Sequence, residues 1–177
     1  MANEDDNPVV RRVIASYGRF THKTYDLVIA RSSFLLVEVP KANGPKWPEK
    51  ITSQPIDRVA DADRLGAQDG TIVIPYSTVR NLRFYAPPVQ PNMPYNNLGL
   101  WVTHCAEGEK PKKLAVAIDA NPYIMQRLLI EGMSKGLSQQ ILRRNELLSE
   151  YATVIKELLM RRLPPRVIMQ ARWDVPS

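Results

Sequence analysis

The sequence predicts an α+β fold: a bent antiparallel β-sheet, or partly open barrel, capped by a helix and followed by a long C-terminal helix. Three observations carry this expectation. Residues 11–118 alternate short runs of β-branched, aliphatic and aromatic residues with turn-forming breaks, as strands of an antiparallel sheet do. From Asp119-Ala120-Asn121-Pro122 onward the apolar spacing lengthens to a helical period. Proline clusters at 40–55 and 86–97 interrupt the strand pattern, because proline lacks the N–H that a central ladder needs.

The organisation that follows is an acidic N-terminal tail at 1–10, a β-rich domain with its closing helix at 11–136, and a basic amphipathic helix with a docking tail at 137–177. Val13-Ile14-Ala15-Ser16-Tyr17 reads as the first strand. The runs Tyr25 to Arg31 and Phe34 to Val39 flank Ser32-Ser33 and read as a hairpin, apolar enough to be covered on both faces. Residues 57–69 are polar with room for a helical turn. Thr71 to Ile74 passes through Pro75 into Val79 to Tyr85, and Leu98 to Cys105 and Leu114 to Ile118 complete the strands. Asn121 is placed to cap a helix with Pro122 at its first position, where no N–H is required. Gly136 is the expected stop. Ser138 opens the next helix, which runs to about Leu163 before Pro164-Pro165.

Three parts of this order carry a resemblance: Leu27 to Val39 as an early hairpin, Ile74-Pro75-Tyr76-Ser77-Thr78-Val79-Arg80-Asn81-Leu82 as a middle strand pair, and Leu114 to Leu129 as a last strand running into a helix. Over residues 11–135 this pattern resembles pleckstrin-homology-like domains of the prokaryotic and GRAM type. The resemblance implies a bent antiparallel sheet closed at one end by a helix and used for binding rather than catalysis. The family's basic lipid-binding loop aligns with no specific positions here, so no lipid site is carried over.

The composition suits one domain with an appendage: 177 residues, 44% of them hydrophobic. No run approaches the roughly 20 apolar residues that span a bilayer. The acidic start lacks a signal sequence's basic and apolar regions, and Cys105 is the single cysteine, so a cytoplasmic chain without disulfides is expected. Fifteen prolines against eight glycines fit a thermophile's chain.

No catalytic motif is found: no nucleophile elbow, no phosphate-cradling Gly-rich loop and no dinucleotide fingerprint. The expectation is a non-enzyme with no cofactor and no metal. Asp61, Asp63, Gly66 and Asp69 echo a calcium loop, but Leu65 and Ile72 stand where two oxygen ligands belong. His104 and Cys105 are adjacent on a strand, so their side chains point apart and make no nucleophile–base pair.

The C-terminal helix carries the functional expectation. Ile141, Leu148 and Ile155 recur every seven residues, and Tyr151 and Leu158 complete a seam. So broad an apolar surface must be buried, against the chain's first helix and sheet, a second copy, or another protein. With Trp173 in the tail, these residues are the expected protein interface, for a protein partner or a homo-oligomer. The whole net charge of +6 lies in residues 110–177. It either solubilises the helix or meets an anion. Arg143, Arg144, Arg161, Arg162 and Arg166, with Arg172, extended by Lys110, Lys112 and Lys113 and by Arg80 and Arg83, are therefore candidates to grip an RNA backbone, as in a ribosome-associated factor. Peripheral lipid binding is the lesser expectation. The leading reading is a binding or assembly protein docking through its C-terminal helix and tail.

Overall fold

A computed structural model describes residues 7–17, 22–39, 56–87, 97–132 and 137–175. Its spine is the first strand, β1 (Asn7–Tyr17), an eleven-residue run with Val9, Val10, Val13 and Ile14. β1 begins earlier than Val13, so the boundary of the expected acidic tail at residue 10 falls inside a strand. Pro8 is tolerated because it stands next to the strand's first residue. On one side β1 pairs with β2 (His22–Ile29), from Val9↔Val28 to Ser16↔His22. On its other side it changes partner midway. Asn7 to Val10 pair with β4 (Ile56–Val59), and Ile14 to Tyr17 pair with β8 (Lys112–Asp119).

A β-bulge makes the change possible. The register shifts between Val10 and Val13, and Arg12 takes a φ of 57°. One extra residue bends the strand and increases its twist. Asp26 of β2 holds the bulge: its Oδ1 accepts the Arg12 N–H at 3.0 Å, and its Oδ2 receives Arg11 Nη1 at 2.5 Å. Arg11 Nη2 reaches Asp57 on β4 at 2.7 Å, so one guanidinium ties three strands together at the fork.

The hairpin read around Ser32-Ser33 joins β2 to β3 (Ser33–Glu38), closed by Ala30 N–H to Ser33 O. Helix α1 (Ala62–Gly66) follows β4, capped by the Asp61 carboxylate on Arg64 N–H. β5 (Ile72–Pro75) pairs with β3, whereas β6 (Val79–Tyr85) pairs with β7 (Asn97–His104). The 3₁₀ turn Tyr76–Thr78 between β5 and β6 carries the chain from one wing to the other. Buried Tyr76 fixes this corner by donating its hydroxyl to Ala30 O at 2.8 Å. β7 pairs with β8, and a three-residue strand, β9 (Arg172–Asp174), adds in parallel to β6. The sheet order is β5-β3-β2-β1-β8-β7-β6-β9, with β4 branching from β1. It is mostly antiparallel and is not closed into a barrel.

Helix α2 (Asn121–Ile130) starts one residue earlier than read: Ala120 is the N-cap, and Asp119 rather than Asn121 supplies the accepting side chain, to Asn121 N–H at 2.9 Å. It stops short of Gly136, with Gly132 in the left-handed region at φ 61°; Gly136 itself lies outside the described residues. Helix α3 (Leu137–Arg162) contains Ser138 within its range rather than before it. Pro165 opens a short α4 (Pro165–Gln170), a position where its missing N–H costs nothing.

The core fills the inside of the bend. Leu147, Leu148, Tyr151, Ala152, Ile155 and Leu159 of α3 share one buried cluster with Leu27, Phe34 and Ile74 from one wing and Leu82, Phe84, Leu100 and Val116 from the other. Each fully buried side chain of this size contributes about 1.5–3 kcal/mol. The outer face of the first wing is covered too, by Val59, Ala62 and Leu65 over Val9, Val28 and Leu35. Among the described residues, the outer face of the second wing carries no such layer.

Candidate functional site

Side chains alternate along a strand, so every second residue of β6, β7, β8 and β1 faces outward on the second wing. The pairing register lines these residues up in rows. One row runs Arg172, Arg83, Trp101, Ala115, Ser16, His22; the next runs Asp174, Tyr85, Gly99, Ala117, Ile14, Thr24; a third holds Asn81, Thr103 and Lys113. Trp101 is 45% exposed and Ile14 47%, both on interior strands. A shallow trough of about 550 Å³ crosses the first and third rows.

The aromatic pair is ordered. Tyr85 and Trp101 meet edge to face, 5.3 Å between ring centres, and Arg83 Cζ stands 5.4 Å from the Tyr85 centre and 5.1 Å from that of Trp101. Such a guanidinium is attracted by both ring quadrupoles. Arg83 Nε donates to Asp174 Oδ2 at 2.7 Å and Arg172 Nε to Asp174 Oδ1 at 2.8 Å. The hydrogen bond from Arg172, then that from Arg83, lowers the Asp174 pKa below the usual aspartate value. Lys113 is exposed and, among the described residues, makes no ion pair.

The expected interface residues lie elsewhere and are largely occupied. Leu148, Tyr151 and Ile155 are buried in the chain's own core, Tyr151 stacked on Tyr123 of α2 at 4.8 Å. Leu158 and Ile141 are half-buried, Leu158 packed against the same core. Trp173 is half-buried in β9, edge-on to Phe84 at 6.4 Å. The seam is thus covered by the chain itself, the local alternative among the three the sequence allowed. Apolar groups left outside on the helices include Leu142 and Met169, 64% and 79% exposed.

The arginines do not form one open patch. Arg143 is tied to Glu131, Glu146 and Glu150. Arg144 is half-buried with its Nε unpartnered among the described residues. Arg161 sits 3.5 Å from Glu157, Arg162 is half-buried, and Arg166 donates to Tyr76 O at 2.8 Å. Lys112 pairs with Glu109 at 2.7 Å. Of the expected phosphate contacts, Lys113, Arg83 and Arg172 fall on the outward face of the second wing. Tyr85, Trp101 and Asp174 were not grouped with them by sequence, although Arg83-x-Tyr85 and Gly99-x-Trp101-x-Thr103 show the strand alternation that puts them on one side.

Asp61 caps α1, and among the described residues no three metal-binding side chains cluster. Asp61 and Asp63 do line a wide cleft of about 1160 Å³ with Arg31 and Arg166. Cys105 is half-buried, its Sγ donating to Glu109 O at 2.8 Å. His104 turns the other way, Nε2 3.1 Å from Tyr17 Oη. Burial raises the Tyr17 pKa to about 12, so the hydroxyl keeps its proton.

Fold and face together define an α+β chain with a half-open antiparallel sheet. No protein-family model matches the sequence, and no curated protein matches it. Among the described residues no helix is long and apolar enough to cross a membrane.

Proposed function

We propose that this chain is a non-enzymatic binding protein of pleckstrin-homology-like build, an assembly module whose contact surface is the uncovered face of β6, β7, β8 and β1. The bent antiparallel sheet with helices inside the bend supports the family likeness. The lone thiol of Cys105 fits the reducing cytoplasm. The observation that carries the reading is Trp101: a tryptophan on an interior strand, nearly half exposed, with Tyr85 against it and a second outward apolar residue, Ile14, two strands away on β1. Exposed apolar surface rimmed by polar groups marks contact sites. This moves the docking surface from the apolar seam of α3 to the sheet.

Oxidative footprinting tests it, comparing the purified chain with the chain in its native extract at low salt. Trp101 and Tyr85 are expected to be protected in the extract. Unchanged labelling there, with protection instead at Leu142 and Met169, would return the contact surface to the helices.

A further inference from the structure

Two guanidiniums converge on one carboxylate beside an exposed indole. Arg83 and Arg172 are paired across β6 and β9, and each gives Asp174 only its Nε. Among the described residues the Nη groups of both meet no acceptor, so each planar fork keeps donors to offer. A carboxylate gripped by two arginines marks a place where the local field favours an anion, and guanidinium forks match phosphate as well as carboxylate. Next in the row stands Trp101 with Tyr85 beside it. Beyond them β8 presents Ala115 and Ala117 in the first two rows, a flat floor, and Lys113 adds a cation at the third row. Asn81, Thr103 and Ser16 line the trough with hydrogen-bonding groups. Asp174 and, at the end of β8, Asp119 are the acids on this side.

The complementary ligand carries flat rings and negative charge alternately. We propose that single-stranded nucleic acid lies across this face, with a base stacked on the Trp101–Tyr85 pair and phosphates on Arg172, Arg83 and Lys113. The inference rests on the reading of this face as the contact surface. A duplex hides its base faces within its own stack, so a flat sheet with an exposed indole has nothing to stack on. From β9 to β1 the row crosses five strands, about 19 Å at the usual strand spacing. At 3.4 Å or more per nucleotide, that is room for about five nucleotides at most.

The test is fluorescence anisotropy of the full chain with labelled oligouridylate and oligothymidylate of about 12 nucleotides and a duplex of equal length, from about 50 to 250 mM salt. The single strands are expected to bind more tightly than the duplex. Trp101→Ala should weaken them at least about five-fold, the loss of one stacked base, and Trp101→Tyr should retain most of the affinity. Lys113→Glu, at an exposed side chain that leaves the fold intact, should weaken binding and flatten its salt dependence. Equal affinity for duplex and single strand, or unchanged affinity in both Trp101→Ala and Lys113→Glu, overturns the proposal. Absence of oligonucleotide binding, with Trp101 still protected in the extract, overturns the nucleic-acid assignment alone and leaves the face as a protein contact.

Discussion

Tyr85 lies over Gly99 on the neighbouring strand, so close that a Cβ built at position 99 would fall 1.9 Å from Tyr85 Cε1. The glycine is what lets the phenol lie across the sheet and meet Trp101. Gly99→Ala therefore forces Tyr85 off its seat, at a cost of about 1–3 kcal/mol for overpacking. The double variant Gly99→Ala with Tyr85→Ala is expected to recover part of that loss. Urea denaturation of the four proteins in a double-mutant cycle measures the coupling, and strictly additive effects would contradict the contact.

The fork at Arg11 gives a second prediction. Asp26→Ala removes both the acceptor for Arg12 N–H and the Arg11 partner, and should cost about 2 kcal/mol; Asp26→Asn, which keeps an acceptor oxygen, should cost about half as much. The pH dependence has a definite sign. The hydrogen bond from Arg11, then that from Arg58 N–H, lowers the Asp57 pKa below 3.8. Its stabilisation is therefore present above pH 3.8 and lost as pH falls through the lower folded value. Arg11→Met should flatten stability against pH in that acid range.

Much of this architecture was legible in the sequence, and the exceptions share a cause. The β2–β3 hairpin was legible because Tyr25 to Ile29 and Phe34 to Val37 flank a polar break. Helix α3 was legible because Ile141, Leu148 and Ile155 repeat. What covers that helix was not, since an apolar stripe fixes that it must be buried and not against what. β9 carries no local signal: three residues pair in parallel with a strand about ninety positions away. The candidate face appeared only in part, its cations within the basic cluster, for the same reason. Arg83, Trp101 and Arg172 become neighbours only through register, which is a tertiary property.

The covered seam of α3 has a direct consequence for mutagenesis. Leu148→Ala should destabilise the isolated chain by about 2–5 kcal/mol, as for a buried leucine. Leu142→Ala, six positions earlier and largely exposed, should fall within about 0.5 kcal/mol of the parent. Chemical denaturation of the purified chain separates the two, and equal small effects would show that the seam is not core.

His104 supplies a prediction near neutrality. Burial first, and then the neighbouring Lys112 charge, lowers its pKa below 6.5, with Glu109 opposing. The folded state therefore holds the imidazole neutral while the unfolded chain takes up a proton at 6.5. Stability should fall as pH drops from 6.5 toward the folded value, and level off below it. His104→Gln, which keeps a hydrogen-bonding partner for Tyr17, should flatten that slope in thermal melts taken across the range.

Asp174 sets the last prediction, because it holds both arginines of the candidate site. Its carboxylate neutralises charge that a phosphate would otherwise meet, and it also keeps Arg83 and Arg172 aimed at one point. The two effects separate by substitution. Asp174→Asn removes the charge but keeps one acceptor oxygen, so single-stranded oligonucleotide affinity should rise and its salt dependence steepen, by about 0.7 in logarithmic slope per added phosphate contact. Asp174→Lys adds charge but abolishes the common acceptor, so its affinity should gain less than charge alone implies. Because Asp174 is at the surface, neither change should unfold the sheet, and the dichroism spectrum should be retained. A fall in affinity for Asp174→Asn would mean that this carboxylate contacts the ligand itself, and the phosphate positions would have to be placed elsewhere on the face.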